Sequence, residues 1–171
     1  PVADLLEADY LSQRASMIDL ARRSKLMPPG SLSAVDTDAF MTGLSLELPS
    51  TTHLTIMDAS GNIVSMTNSI ETAFGSRLMS GGFILNNQLT DFSFAPMDAS
   101  SQKIANRVQG GKRPLSSMSP MIVFDAKNQP VLALGSPGGS SILVYNAKAA
   151  LGALAWGLPT QSAIDLPNLV A

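Results

Sequence analysis

The apolar residues of the first part of the chain recur at the spacing of one face of a helix. This pattern predicts a helix over residues 4–26, with Leu6, Tyr10, Met17 and Leu20 roughly on one face. Asp4 and Glu7 have the spacing of a capping box, and Pro28-Pro29-Gly30 is expected to stop the helix. The cations that suit its last turn are Arg22, Arg23 and Lys25.

Residues 31–50 have no clear hydrophobic period before the Leu-Ser-Leu-Glu-Leu run at residues 44–48. Small and polar residues dominate this stretch. We interpret it as a flexible linker that ends in a short extended piece.

Beyond the linker the pattern changes to strands. Apolar residues flank the Gly-containing segment 58–62, which predicts a β-hairpin over about residues 52–66. A second hairpin is predicted from residues 121–124 and 131–134, with a turn through 125–129. Two antiparallel hairpins with helices outside them indicate an α+β fold.

The last third of the chain carries two predicted helices. A glycine-rich segment at residues 135–140 precedes an apolar helix over about 141–156, which Gly157 ends. Another helix is expected to begin at Thr160 or Gln161. Residues 95–115 show weak periodicity and a basic cluster, which is typical of a loop.

Composition narrows the classes of function. The chain has 171 residues, 45% hydrophobic and 14% charged, with a net charge of −2. A phosphate-backbone binder needs a basic surplus, so no nucleic-acid partner is expected. The longest apolar stretch, residues 149–158, is too short for a membrane span, which needs about 20 residues. The first and last residues lack the signals of natural ends, so we expect a piece of a longer protein.

The residue types present also limit the catalytic chemistry that the chain can carry out. It has no cysteine and one histidine, His53, so it lacks thiol nucleophiles and the usual zinc ligands, and no metal or cofactor is expected. A Thr can act without a histidine when it is the first residue of a chain, because its own α-amine, with a pKa near 8, serves as base. Thr51, where the linker enters a strand, suits this role. Such junctions are common, so a structural role stays open on this evidence alone.

Four ordered motifs resemble the small subunit of the γ-glutamyltranspeptidases. Thr-Thr-His-Leu-Thr-Ile-Met-Asp at residues 51–58 resembles its start, and Ile-Leu-Asn-Asn-Gln-Leu-Thr-Asp-Phe at 84–92 resembles its Asn-Asn loop. Lys-Arg-Pro-Leu-Ser-Ser-Met-Ser-Pro at 112–120 and Gly-Ser-Pro-Gly-Gly at 135–139 match two further motifs. The resemblance runs over about residues 51–168.

The resemblance implies an N-terminal-nucleophile hydrolase that cuts its own precursor. By resemblance the scissile bond is Ser50–Thr51, and Thr51 then attacks a γ-glutamyl amide and carries the acyl group as an ester. Ser69 matches a family Thr whose hydroxyl assists the nucleophile. Gly138 and Gly139 match the residues whose backbone N–H groups stabilise the oxyanion.

The same resemblance implies how the substrate is held. Ser116 and Ser117 match residues that hold the α-carboxylate of the γ-glutamyl group. Glu71, Gln88 and Asp91 match positions that bind its α-ammonium, although many relatives carry Asn in place of Glu71. Water, an amino acid or a dipeptide would accept the acyl group.

The family fold is an αββα sandwich of antiparallel sheets between helices, and here we expect it to be incomplete. Residues 1–50 would be the C-terminal tail of the large subunit, and residues 51–171 a small subunit truncated at its C-terminus. The partner would be the missing large-subunit portion, which carries an arginine for the substrate carboxylate. Exposed apolar surface would favour self-association. Relatives are often periplasmic or secreted.

Two other functions stay open. Acylases that act on cephalosporin or glutaryl side chains share these motifs. A catalytically silent piece that serves only as a structural or assembly module is the other alternative, because this chain alone lacks part of the substrate-binding site.

Overall fold

The computed structural model describes residues 2–19, 21–22, 27–32, 39–41 and 50–168. The chain divides into two compact units. One comprises residues 1–43 and 95–107, and the other residues 44–94 and 108–171. The predicted subunit boundary at residue 50 stays a prediction.

The first unit begins with a 3₁₀ helix, Val2–Leu6, and helix α1, Ala8–Ser16. The prediction of one helix over residues 4–26 was wrong, since α1 ends at Ser16 and its N-cap is Glu7, not Asp4. Side-chain bonds explain the early end. The Ser16 hydroxyl donates to the Gln13 carbonyl at 2.8 Å, and the Asp19 carboxylate accepts the Ala21 N–H at 2.8 Å. Both bonds compete with the helical ladder.

Part of the predicted helix lies outside the described residues, namely Leu20, Arg23 and Lys25, as does the extended piece at 44–48. Arg22 is described and lies in a bend beyond α1, so it is not in a last helical turn.

Residues 95–107 form a loop in this unit, as predicted for 95–115. Met41 pairs with it in an isolated parallel bridge to Ile104, through bonds of 2.9 Å to Lys103 and Ala105. The Arg107 guanidinium lies 5.3 Å from the centre of the Phe40 ring, a cation–π contact.

The second unit is built on the first predicted hairpin, which the structure confirms. Strand β1, Thr51–Met57, pairs antiparallel with β2, Ile63–Ser69. The carboxylate of Asp58 accepts the N–H groups of Ser60 and Asn62 at 2.8 and 2.9 Å and thereby closes the turn. The Asn62 side-chain amide also donates to this carboxylate, and it lowers the pKa of Asp58 together with the backbone bonds.

Two further hairpins follow. Strands β3, Met79–Ser80, and β4, Phe83–Ile84, form a short hairpin that was not predicted. Strands β5, Met121–Phe124, and β6, Pro130–Leu134, confirm the second predicted hairpin. The Ser65 hydroxyl donates to the Leu134 carbonyl at 3.0 Å and links β2 to β6.

The predicted helices are also confirmed. Helix α2 covers Ile142–Ala150 and continues in a π-helical turn, Leu151–Ala155; α3 covers Thr160–Asp165. The Lys148 ammonium donates to the carbonyls of Ile164 and Leu166 at 2.6 and 2.7 Å, so it caps α3 from α2. Helices and antiparallel sheets together make an α+β fold. Within the described residues, no helix is long and apolar enough to cross a membrane.

The sheet of β1 and β2 keeps apolar side chains exposed, as expected. Ile56 and Met57 are 59% and 69% exposed, and Val64 on the neighbouring strand is 51% exposed. Ile142 at the start of α2 is, by contrast, fully buried. The second unit therefore has a small core beside α2 and an uncovered apolar surface on its first hairpin.

Candidate active site

One small cavity of about 30 Å³ gathers most of the predicted site residues. It lies within the second unit. Its lining is Thr51, Ser69, Glu71, Gln88, Asp91, Ser116, Ser117, Met118, Gly139 and Ile142. Eight of these ten were predicted from the sequence, while Met118 and Ile142 were not. Of the predicted residues, Ser50 and Gly138 lie next to the lining along the chain without being part of it.

The candidate nucleophile stands at the open end of the first hairpin. Thr51 is the first residue of β1 and lies directly opposite Ser69, the last residue of β2. Residues opposite each other across an antiparallel pair bring their Cβ atoms within about 5.5 Å. The pairing therefore holds the two hydroxyl-bearing side chains on one edge of the cavity.

The residue before the nucleophile has an unusual environment. The Ser50 hydroxyl oxygen is buried, and among the described residues it has no hydrogen-bond partner. A buried hydroxyl without a partner is uncommon and costs about 1–3 kcal/mol. The residue on the other side of the predicted scissile bond therefore carries a buried, unpartnered hydroxyl.

Glu71 follows the hairpin with a left-handed backbone, at φ 74°. It is only 8% exposed. Its N–H donates to the Ser69 hydroxyl at 2.9 Å, and its carboxylate accepts a hydrogen bond from the Asn87 amide. The local turn therefore brings a buried carboxylate back toward the strand end that carries Ser69.

Asn87 was not predicted as a site residue, although it lies in the Asn-Asn motif at residues 84–92. Its Oδ1 accepts the Thr72 N–H at 3.1 Å, and its Nδ2 donates to the Thr90 hydroxyl at 2.9 Å as well as to Glu71. The only signal for these hydrogen bonds in the sequence was that Asn87 lies within a run of polar residues, Asn-Asn-Gln.

A second buried carboxylate lines the cavity. Asp91 closes a 3₁₀ helix, Gln88–Asp91, and is 6% exposed. The Gln88 amide donates a hydrogen bond to it. Two carboxylates and no basic side chain contribute to the described lining, so the cavity suits a ligand with a cationic group.

The two serines approach from the loop before β5. The Ser117 hydroxyl donates to the Gly139 carbonyl at 2.7 Å, and the Ser116 hydroxyl accepts the Met118 N–H at 3.3 Å. Asn146 on α2 fixes this loop further along, since its amide donates to the Ser119 carbonyl and hydroxyl at 2.9 and 2.8 Å. The loop is thus held from both the glycine turn and α2.

The glycine pair opens the helical segment that leads into α2. Gly138 and Gly139 have φ values of 140° and 56°, which disfavour other residues. A Cβ on Gly138 would lie 2.8 Å from the Tyr145 ring. In the described part of the chain neither backbone N–H donates a hydrogen bond. Two unused donors at a helix start are suited to a developing negative charge.

His53 lies apart from this cavity and borders a larger one of about 380 Å³. Its ring nitrogens lie 2.9 Å from the Thr67 hydroxyl and 3.1 Å from the Thr55 hydroxyl. Burial lowers the pKa of His53. His53 is therefore held on β1 by two hydroxyls and is not among the residues that line the smaller cavity. Among the described residues, no cluster of three or more His, Asp or Glu side chains could hold a metal ion.

Comparisons with known proteins identify the family to which the chain is similar. The family model described as gamma-glutamyltranspeptidase matches residues 1–171. The chain is 36% identical over 181 residues to the glutathione hydrolase proenzyme of Bacillus subtilis, covering 99% of this chain and 29% of that protein. For the Escherichia coli proenzyme the identity is 34% over 177 residues, covering 98% and 28%. The chain thus spans less than a third of the length of these curated relatives.

Similar solved structures come from the same family and bear on the fold. A mutant γ-glutamyltranspeptidase of Helicobacter pylori is 36% identical with a TM-score of 0.58, over 68% of this chain and 66% of that chain. The Pseudomonas nitroreducens enzyme complexed with L-DON is 37% identical with a TM-score of 0.56, over 66% and 61%. These structures support the N-terminal-nucleophile hydrolase fold. The chain belongs to the γ-glutamyltranspeptidase family.

Proposed function

We propose that the protein containing this chain cleaves γ-glutamyl amides such as glutathione and passes the γ-glutamyl group to water or to an amino acid or peptide. The observation that carries the proposal is the single cavity that holds Thr51 together with Glu71 and Asp91. A nucleophile and two carboxylates in one small space suit an acyl donor with an α-ammonium group.

Thr51 would become the nucleophile by cleavage of its own chain. Its hydroxyl oxygen attacks the Ser50 carbonyl carbon, the C–N bond breaks, and the nitrogen leaves as an amine, which yields an ester. Water then hydrolyses this ester, so Ser50 ends in a carboxylate and Thr51 has a free α-amine. The pKa of such an amine is about 8, so it can take the hydroxyl proton during substrate attack.

The substrate reaction would repeat the same chemistry on an external amide. The Thr51 hydroxyl attacks the γ-carbonyl carbon, the leaving amine takes a proton, and the acyl group stays on the Thr51 oxygen as an ester. Gly138 and Gly139 have unused N–H donors, which would stabilise the tetrahedral oxyanion. One such donor is worth about 10²–10³ in rate.

The polar groups of the cavity would orient the donor. Glu71 and Asp91 would face the α-ammonium. Ser116 and Ser117 would donate to the α-carboxylate, for which the Ser117 hydroxyl would turn its proton from the Gly139 carbonyl to the ligand. The Gln88 amide donates to Asp91 and so keeps that carboxylate in place. Because the Gln88 amide is uncharged, it does not neutralise Asp91, and the carboxylate can still attract a cationic group of the ligand.

The test uses the complete gene product that carries these residues, with two anilide substrates. We expect release of p-nitroaniline from γ-glutamyl-p-nitroanilide and a much slower release from glutaryl-p-nitroanilide, which lacks the α-ammonium. Thr51→Ala is the matched control and should abolish turnover. Faster turnover of the glutaryl substrate would favour an acylase, and no turnover of either substrate would refute the proposed enzyme activity.

A further inference from the structure

We propose that Asn87 is the positioning residue that makes this cavity select acyl groups with an α-ammonium, because it holds the Glu71 carboxylate in place. The inference rests on the proposed function. Asn87 itself is not among the residues that line the cavity. It would act only through Glu71, which does line the cavity.

Glu71 needs such a holder because its conformation is unfavourable by itself. A residue other than glycine in the left-handed region costs about 1–2 kcal/mol, and the φ of Glu71 is 74°. Its side chain is also nearly buried, at 8% exposure. Burying a carboxylate without hydrogen-bond donors costs free energy. Without a donor, relaxation of the turn or outward movement of the side chain would relieve both costs.

Asn87 supplies the donor in a fixed orientation. The backbone N–H of Thr72 donates to its Oδ1 at 3.1 Å, which determines which end of the amide faces the carboxylate. Its Nδ2 then points to Glu71 and to the Thr90 hydroxyl. The Thr90 hydroxyl also lies 2.8 Å from the Asn87 carbonyl oxygen, so the loop is tied on both sides of the amide.

The chemistry of an amide explains the selectivity. A lysine or arginine at this place would pair with Glu71 and neutralise it, whereas an amide donates a hydrogen bond and adds no charge. The carboxylate therefore keeps its attraction for a cationic group. The second buried carboxylate is held in the same way, since the Gln88 amide donates to Asp91. Both acidic groups of the cavity are thus fixed by neutral donors.

The experiment measures discrimination between two substrates in the complete gene product. The readout is the ratio of kcat/KM for γ-glutamyl-p-nitroanilide to that for glutaryl-p-nitroanilide. Asn87→Ala should lower this ratio about tenfold or more, since a hydrogen bond to a charged group contributes at least that factor. Asn87→Asp keeps an acceptor for the Thr72 N–H but replaces the donor to Glu71 by a second carboxylate. The repulsion between the two would move Glu71 from its place, so the ratio should fall too.

Gln161→Ala is the control. Gln161 is an exposed amide on α3 that donates to Asp165 at 2.9 Å, and it is not among the residues that line the cavity. Its variant should keep the wild-type ratio. If Asn87→Ala does not fold, the isosteric Asn87→Asp decides the question alone.

The outcomes separate the two proposals. A lower ratio in the Asn87 variants with an unchanged ratio in Gln161→Ala supports the inference. Equal losses on both substrates, with the ratio unchanged, would show a purely structural role and overturn it. Wild-type enzyme that turns over neither anilide, or prefers the glutaryl substrate, would overturn the proposed function and with it the premise for Asn87.

Discussion

Asn146 gives the sharpest test of how the loop with the two serines is held. Its side chain is 2% exposed and donates to the Ser119 carbonyl and hydroxyl at 2.9 and 2.8 Å. Asn146→Ala removes both hydrogen bonds. Asn146→Asp keeps the shape, but a carboxylate cannot donate and would face the Ser119 carbonyl oxygen.

The structure sets the expected magnitudes. Each lost hydrogen bond costs about 0.5–1.5 kcal/mol, and Ser119 is only half-buried, so water can replace part of the loss. We therefore expect Asn146→Ala to cost about 1–2 kcal/mol. Asn146→Asp puts an unpaired charge in a buried place and should cost about 3–5 kcal/mol. The order of the two variants is the diagnostic result.

The assay is urea unfolding of the complete gene product, followed by far-UV circular dichroism. With a slope of about 1–3 kcal/mol per molar urea, the alanine variant should shift the midpoint by about 0.3–2 M. Gln161→Ala is the control, because Gln161 is an exposed amide on α3 and its loss should cost less than about 0.5 kcal/mol. An Asn146→Asp variant as stable as Asn146→Ala would refute the reasoning.

Three further predictions concern the glycine turns and the histidine. Gly138→Ala should lower kcat on γ-glutamyl-p-nitroanilide by about 10² or more, because a side chain at φ 140° would meet the Tyr145 ring and displace the oxyanion donors; an unchanged kcat would contradict this role. Gly135→Ala should destabilise the fold by about 1–3 kcal/mol, because the new methyl would overlap the His53 ring. Adding His53→Ala to the Gly135→Ala variant should restore much of the lost stability. If thermal unfolding shows instead that the losses of the two single variants add in the double variant, the overlap is not the cause. Burial lowers the pKa of His53 below its ordinary 6.5, so its contribution to stability is complete above pH 6.5 and falls as the pH drops toward the folded pKa. His53→Gln should flatten this dependence of the melting temperature, and the same slope in both proteins would contradict it.

The hydrophobic pattern predicted those elements whose hydrogen bonds join residues that are close together along the chain. The hairpin of β1 and β2 was predicted because apolar alternation meets a turn that Asp58 closes through near neighbours. The end of α1 at Ser16 was missed because single side-chain bonds stop the helix while the apolar period continues. The hairpin of β3 and β4 was missed because its strands have two residues each, too short for any period.

The candidate site depends on contacts that periodicity does not encode. The cavity joins strand ends, a 3₁₀ helix and two loops, and only the motif resemblance brought these residues together in advance. Asn87 and Asn146 could not be predicted from local pattern, because their partners lie 16 and 27 residues away along the chain. A buried amide is recognised by what it bonds, and those bonds exist only in the folded chain.

The central claim is that Thr51 is a nucleophile released by cleavage of the chain before it. Intact-mass spectrometry of the complete gene product, before and after long incubation at neutral pH, tests this claim most directly, with Thr51→Ala as the uncut control. We predict two products that divide between Ser50 and Thr51 in the wild type alone. A single uncut mass in the wild type, in a preparation that turns over γ-glutamyl-p-nitroanilide, would contradict the account.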